Sequence, residues 1–465
     1  MKILTDPPLV TSASATLPPG PSQRWWGLPL LRAMHADYLG FTTRLHRDHG
    51  DVSFMRIGNE RAIDVFNPTL VRQVLVDQAD HLVRWERGME VFEQVFGQSV
   101  LVTEGATWQR QRRMLQPAFT PARVAGYAAL MRDAAVGALD TAVPAGVPDA
   151  WVDMDALFSG LAMDVIMRTL FSSRAPADAL DAAHAVQVLS ANAMEEMFWP
   201  MSLPDWLPLP GKAAKRAALR RLKGLVGRHI EARAASPAES PRGDLLDMLL
   251  SLRDEETGAP LSDAEVFDQC MVTFQAGHET TATALLWWSR LLAEHPGEAA
   301  LVRQEVDAVL GDRAPVPQDM AALPRLTATL KEAMRLYPPV AALMTRRATQ
   351  DLKVGSWTVP KGTLVRITPW VLQRDARVFD DPDAFRPERF MPGAPPPARG
   401  AWMPFGTGPR VCIGQHFAML EMTLLSAMLL QRYTLELPAD APPLQPVMHV
   451  TLRPEGGVRL RLRRR

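Results

Sequence analysis

The stretch between Ser262 and Pro296 constrains the fold most. Ser262 followed three residues later by Glu265 is a capping-box start, and Pro296 is a stop signal. The roughly thirty residues between them read as one helix, well above the usual length of about 11–12. Its middle, Ala276-Gly277-His278-Glu279-Thr280-Thr281, interrupts an apolar run with a glycine and hydroxyls that weaken the backbone ladder. Such a helix costs stability unless its centre has a task; the competing reading is a buried helix with a tolerated kink. From about 68 to 310, segments rich in Ala, Leu, Arg and Glu predict more helices. The fold class is mainly α with a small β region.

Other elements are placed by local chemistry. Residues 51–66 predict a hairpin turning near Gly58-Asn59, and Pro-rich breaks fall near 200–211 and 236–243. A helix over 326–336 ends at Tyr337-Pro338-Pro339. Strands follow at 354–357 and 358–367 around a Pro360-Lys361-Gly362 turn. Residues 373–411 form a long irregular segment, which in a compact protein is usually functional. A last helix runs from about 415 to 432, before weak strands. Residues 1–24 are a Pro-rich lead-in, and 25–465 are expected to form a single domain.

Composition excludes several classes. A length of 465 residues suggests three domains by simple division, or one large core wrapped around a big ligand. Lys+Arg and Asp+Glu both number 51, so no broad basic face for nucleic acid is expected. The C-terminal arginines, Arg459 to Arg465, alternate with apolar residues and read as a last strand with a charged end. Two cysteines, Cys270 and Cys412, exclude a disulfide framework and a four-cysteine metal site. With no apolar run long enough to span a bilayer and no secretory pattern, the expectation is a soluble, cytoplasmic protein without a membrane anchor.

The chemistry is concentrated in Phe405-Gly406-Thr407-Gly408-Pro409-Arg410-Val411-Cys412-Ile413-Gly414. Glycines let the backbone approach a flat ligand. Cys412 precedes a helix N-terminus, whose amides and dipole favour a thiolate. Arg410 can pair with an anion. This set suits a haem iron with its propionates; the alternative is an inert buried cysteine.

This segment matches F-x-x-G-x-R-x-C-x-G, and the chain thereby resembles the cytochrome P-450 family. Further motifs in order strengthen the resemblance: Trp108 and Arg112 (W-x-x-x-R), Ala276 to Thr280 (A-G-x-E-T), Glu332 and Arg335 (E-x-x-R), and Pro387-Glu388-Arg389-Phe390 (P-E-R-F). It spans nearly the whole chain. The resemblance implies a helix-rich domain enclosing haem b, iron protoporphyrin IX, between a long distal helix and a proximal cysteine loop. Cys412 is then the axial iron ligand. Trp108, Arg112 and Arg410 meet the propionates, and Arg346 or Arg347 is a candidate for a third contact. Phe405 packs over the sulfur, and Gly406 and Gly414 permit close approach. Glu332, Arg335 and Arg389, alone readable as surface ion pairs, become a buried network holding the irregular segment under the cysteine loop.

For the distal helix the resemblance implies oxygen chemistry. Thr280 offers a hydroxyl and Glu279 a proton; Ala276 and Gly277 leave room for dioxygen. Thr281 ranks second, and His278 is given no role. His278-Glu279 is not a zinc motif, because position 282 is alanine. The 53 residues after Cys412 leave no room for a fused reductase. Electrons are therefore expected from NAD(P)H through a ferredoxin or flavodoxin and its reductase. Arg112, Arg113, Arg410 and His416 would make the docking side basic.

The expected reaction is monooxygenation of an apolar small molecule: fatty acyl, terpenoid, steroid or macrolide-like. Peroxide-driven or isomerase-type haem-thiolate enzymes, and a non-catalytic haem sensor, are the alternatives. Candidate pocket walls are Val91, Phe92, Val95, Phe96, Val100 and Leu101, then Phe198, Trp199, Met201, Trp206 and Leu207. Phe274, Ala276 and residues 340–344 complete them.

Overall fold

The long helix spans Asp263–Glu294, 32 residues with the Ser262–Glu265 capping box formed at its start. At 1.5 Å per residue it is about 48 Å long, so it must be sheathed by other elements along its length. Most of its residues from Val266 to Leu292 are buried. The computed structural model describes residues 17–174, 179–199, 201–235, 242–342 and 344–465. Helices Met154–Phe171, Ala179–Met197, Lys212–Ala235, Pro324–Leu336 and Gln415–Arg432 all pack on the long one or on each other. Pro296 stops the long helix as expected, and is itself the first residue of the next, Pro296–Leu310.

Twelve short strands complete the described fold. They are β1 (Val52–Ile57), β2 (Glu60–Val65), β3 (Leu82–Arg84), β4 (Asp149–Asp153), β5 (Arg346–Ala348) and β6 (Leu352–Val354). The others are β7 (Trp357–Val359), β8 (Leu364–Arg366), β9 (Tyr433–Glu436), β10 (Pro446–Met448), β11 (Leu452–Pro454) and β12 (Arg459–Arg464). One sheet has the order β1-β2-β8-β5-β3, another β4-β12-β9, and β6–β7 and β10–β11 are separate hairpins. The expected β1–β2 hairpin turns at Gly58-Asn59, with Ile57 opposite Glu60. The arginine-rich end is a strand, β12, paired on both sides.

Two expectations change. The turn within 352–359 falls at Gly355-Ser356, where Gly355 has φ +58°; Pro360-Lys361-Gly362 instead joins β7 to β8 in another sheet. Pro360 reads locally as a turn former, but long-range pairing of β8 with β2 and β5 decides the strand boundaries. Strands β3, β4 and β5 were hidden because three to five residues carry too little periodicity to be seen. Of the lead-in, residues 1–16 lie outside the described residues, as do 236–241 of the second Pro-rich break. Pro19 accepts a 2.8 Å hydrogen bond from the Phe54 amide, which ties the described part of the lead-in to β1.

Candidate active site

The cysteine loop is fixed from within. The Cys412 amide donates to the Phe405 carbonyl at 2.9 Å, and the Val411 amide to that of Gly408 at 3.1 Å. Gly408 has φ +72°, and a Cβ there would lie 2.2 Å from the Leu75 carbonyl oxygen, so only glycine fits. Gly406 has φ +75° and only Met344 near its Cβ position, at 3.6 Å. Phe405 is half-buried and meets Trp402 edge-on at 6.3 Å.

Cys412 lies three residues before helix Gln415–Arg432 and its side chain is accessible, in contrast to Cys270, which is buried. Enough protein surrounds the thiol that burial pushes its pKa up, against the Gly414 amide and the Arg112 charge, which pull it down. Burial therefore opposes the helix-end stabilisation of the thiolate. A metal ion is the stronger lever, because a coordinating thiol is deprotonated outright.

Around the loop the charge is one-sided. Arg410 pairs with Glu104 at 2.5 Å, donates to the Thr103 carbonyl at 3.0 Å and lies 3.8 Å over the Trp108 ring. Arg84 shares Glu104, at 2.7 Å, and stands directly opposite Arg346 across β3 and β5. Arg346 has only the Thr345 carbonyl as a partner, and Arg112 makes no hydrogen bond or ion pair among the described residues. Burial and the neighbouring arginines push Arg410 down to about 9 and Arg346 down to about 10. Like charges facing each other across strands destabilise unless an anion lies between them. Arg84, Arg346 and Arg410 around one carboxylate, with Arg112 beside the thiol, are the donor set for a ligand with a metal and two carboxylates. The residues fit haem. Arg347, the other candidate, points away to Glu60 and Glu86.

The long helix contributes a second accessible surface. Thr273, Ala276, Gly277 and Thr280 are exposed or half-exposed within a helix that is otherwise buried there. Their spacing of i, i+3, i+4 and i+7 makes one face. The Thr280 hydroxyl donates to the Ala276 carbonyl at 2.8 Å. Gly277 serves packing more than space: its Cβ position lies 3.0 Å from Ile166 on helix Met154–Phe171. Glu279, His278 and Thr281 are buried and off this face. Glu279 accepts a 2.7 Å hydrogen bond from Thr451, and burial raises its pKa.

The Glu332 network is buried, as the motifs imply. Glu332 and Arg335 pair at 2.7 Å with no exposure, and Arg389 reaches Glu332 at 3.3 Å. Arg335 also donates to the carbonyls of Gln373, Pro382 and Ala384. Gln373 passes the contact on, accepting from the Met403 amide at 2.7 Å, two residues before Phe405. The irregular segment is thus tied to the cysteine loop.

Several expected pocket walls are elsewhere. Phe274, Val91 and Val95 are buried core, while Trp206 and Met201 are 73% and 61% exposed. Phe198 turns to His35, with ring centres 5.2 Å apart. Leu343 lies outside the described residues. Arg113, expected on a basic docking side, is held by Asp254 and Glu256 at 3.4 and 2.9 Å. Glu104, Arg84, Thr451 and Arg453 had no motif to reveal them; their roles come from pairings made across the fold.

A thiol loop, an arginine-rich carboxylate cradle and an accessible distal face define a haem-thiolate class of protein. Residues 18–461 match the family described as cytochrome P450, and the chain belongs to that family. It is accordingly a monooxygenase, an oxidoreductase using haem and dioxygen. It is 37% identical to cyclooctatin synthase of Streptomyces melanosporofaciens, over 83% of each chain. Cyclooctat-9-en-7-ol 5-monooxygenase of the same species is 34% identical, over 92% of this chain and 93% of that one. Pentalenene oxygenase of Streptomyces avermitilis is 32% identical, over 89% and 90%. No helix among the described residues is long and apolar enough to cross a membrane.

Proposed function

We propose that this chain oxygenates a terpenoid, using electrons that a ferredoxin or flavodoxin and its reductase draw from NAD(P)H in the cytoplasm. The observation that carries the site is the accessible Thr273, Ala276, Gly277 and Thr280 face inside an otherwise buried helix. The substrate class is supported by the names of three relatives, which concern cyclooctatin, cyclooctat-9-en-7-ol and pentalenene.

Residues 25–465 act as one haem domain in this reading. Cys412 would ligate the haem iron, and Arg112, Arg346 and Arg410 would hold the propionates, with Trp108 stacked under Arg410. Gly406 and Gly414 keep the loop close, and Phe405 shields the sulfur from water. Bound haem supplies the iron at which dioxygen is reduced and split. Thr280 orders a water or hydroxyl on the accessible face, beside the small Ala276 and Gly277. Glu279 supplies protons to that hydroxyl. The electron donor docks over the Cys412 side, near Trp108, Arg113 and the exposed His416, where charge is balanced by Asp254 and Glu256.

The test is the carbon monoxide difference spectrum of the reduced protein. The red-shifted Soret band of thiolate-ligated haem is expected in the wild type and lost in Cys412→Ala. A spectrum of thiol or histidine ligation in the wild type overturns the assignment. Oxygenation of pentalenene or cyclooctat-9-en-7-ol, against a fatty acid control, tests the substrate class.

A further inference from the structure

Glu279 is adjacent to Thr280 in sequence, yet its carboxyl is engaged from another part of the chain. The loop His449-Val450-Thr451 joins β10 to β11 and lies against the long helix. Thr451 donates to Glu279 at 2.7 Å. Two residues on, the buried Arg453 donates to Thr283 of the same helix at 3.4 Å and pairs with Asp155, at the start of helix Met154–Phe171. The hairpin is clamped in place: Trp287 Nε1 donates to the Leu452 carbonyl at 2.6 Å, and the Leu452 amide to that of Pro339 at 2.9 Å. Val450, between these anchors, packs into the apolar cluster with Phe92, Ala193 and Met197.

We propose that Thr451 and Arg453 are positioning residues that hold Glu279 for proton supply, and that its proton is replaced from solvent beside Asp155. This rests on the reading of Glu279 as the proton source. Asp155 is 27% exposed, so the group sequence Asp155, Arg453, Glu279 reaches solvent without crossing the accessible face of the long helix. In the cycle, the Glu279 O–H bond breaks and the proton passes toward Thr280. The carboxylate left behind is stabilised by a charge-assisted hydrogen bond from the Thr451 hydroxyl and by the field of the nearby Arg453 guanidinium. A water molecule entering beside Asp155 then carries in the proton that re-forms the O–H bond, and Arg453, which keeps its own proton throughout, lines the route without relaying it.

The surroundings agree with a stored proton. Burial raises the Glu279 pKa, opposed by Thr451, Arg453 and Ser190, while Asp155 adds to the rise. His278, next to it on the helix, is held neutral by burial and by Arg453. Because Asp155 already pairs with Arg453, the cation does not fully compensate a second carboxylate.

Infrared difference spectroscopy of the holoenzyme tests this. The carboxyl stretch of Glu279, identified by its loss in Glu279→Gln, is followed through a pH titration. Thr451→Val and Arg453→Met are each expected to raise the midpoint by about one unit, a tenfold loss of acidity, and Thr451→Ser to restore it. A midpoint unmoved in both variants, a Thr451→Ser protein that stays shifted, or no Glu279 carboxyl band at any pH overturns the proposal. Unchanged product yield in Glu279→Gln would instead overturn the proton-source reading, and the midpoints would still report whether Thr451 and Arg453 hold the carboxyl.

Discussion

At the scale of single residues, the site is built from charges that oppose one another until an anion arrives. Arg84 and Arg346 face each other across β3 and β5, and Glu104 is the carboxylate that Arg84 and Arg410 share. Replacing Arg346 by Leu should therefore have opposite effects on two states. The haem-free protein should be as stable as wild type or more so, since a half-buried cation without an ion pair is removed. The haem complex should lose about 1.5–3 kcal/mol, the worth of a hydrogen bond to a charged group. Denaturant midpoints of the haem-free protein and rates of haem loss check both; equal destabilisation of the two forms would show a purely structural role. The motif around Cys412 was legible because its residues are covalent neighbours. The cradle was only half legible, because Glu104 and Arg84 carry no local signature.

At the scale of elements, ends and anchors govern stability. Ser262→Ala removes the hydroxyl that accepts from the Glu265 amide, and should cost about 1 kcal/mol in a denaturant titration. Arg335→Leu is far more severe, because it leaves the fully buried Glu332 with Arg389 as its remaining cation and unties the carbonyls of Gln373, Pro382 and Ala384. Removing one partner of a buried pair costs about 3–5 kcal/mol, and the Arg389 contact offsets part of that. Folded yield and thermal midpoint should both fall, and haem incorporation with them. Helix boundaries set by caps and prolines were readable in advance, as at Ser262 and Pro296. The strand β5 was not, because its partner β3 lies some 260 residues earlier; nor was the turn at Gly355-Ser356, because the hairpin it closes has only three residues a side.

For the molecule as a whole, pH is a direct probe of the interior. His278 is buried, and desolvation together with Arg453 pushes its pKa down to about 4 from 6.5. The unfolded chain takes up this proton near pH 6.5, while the folded one does not until about pH 4. The contribution to stability is therefore complete above pH 6.5 and is lost as pH falls toward 4. Between pH 7 and pH 5 the wild type should lose roughly 2 kcal/mol more than His278→Leu, measured as the shift of the urea midpoint. An identical pH dependence in both proteins would show that the ring titrates normally and is solvated.

Local spacing was enough to reveal the family, the motif around Cys412, the mainly helical class and the ends of the long helix. Each rests on residues within a few positions of one another, whose spacing is imposed by the backbone. Only the tertiary structure decided that Gly277 makes room for Ile166, that Arg346 and not Arg347 joins the cradle, and that Thr451 holds Glu279. Those facts depend on which surfaces meet once the core closes. Packing chooses among many compatible neighbours, and no local spacing records that choice.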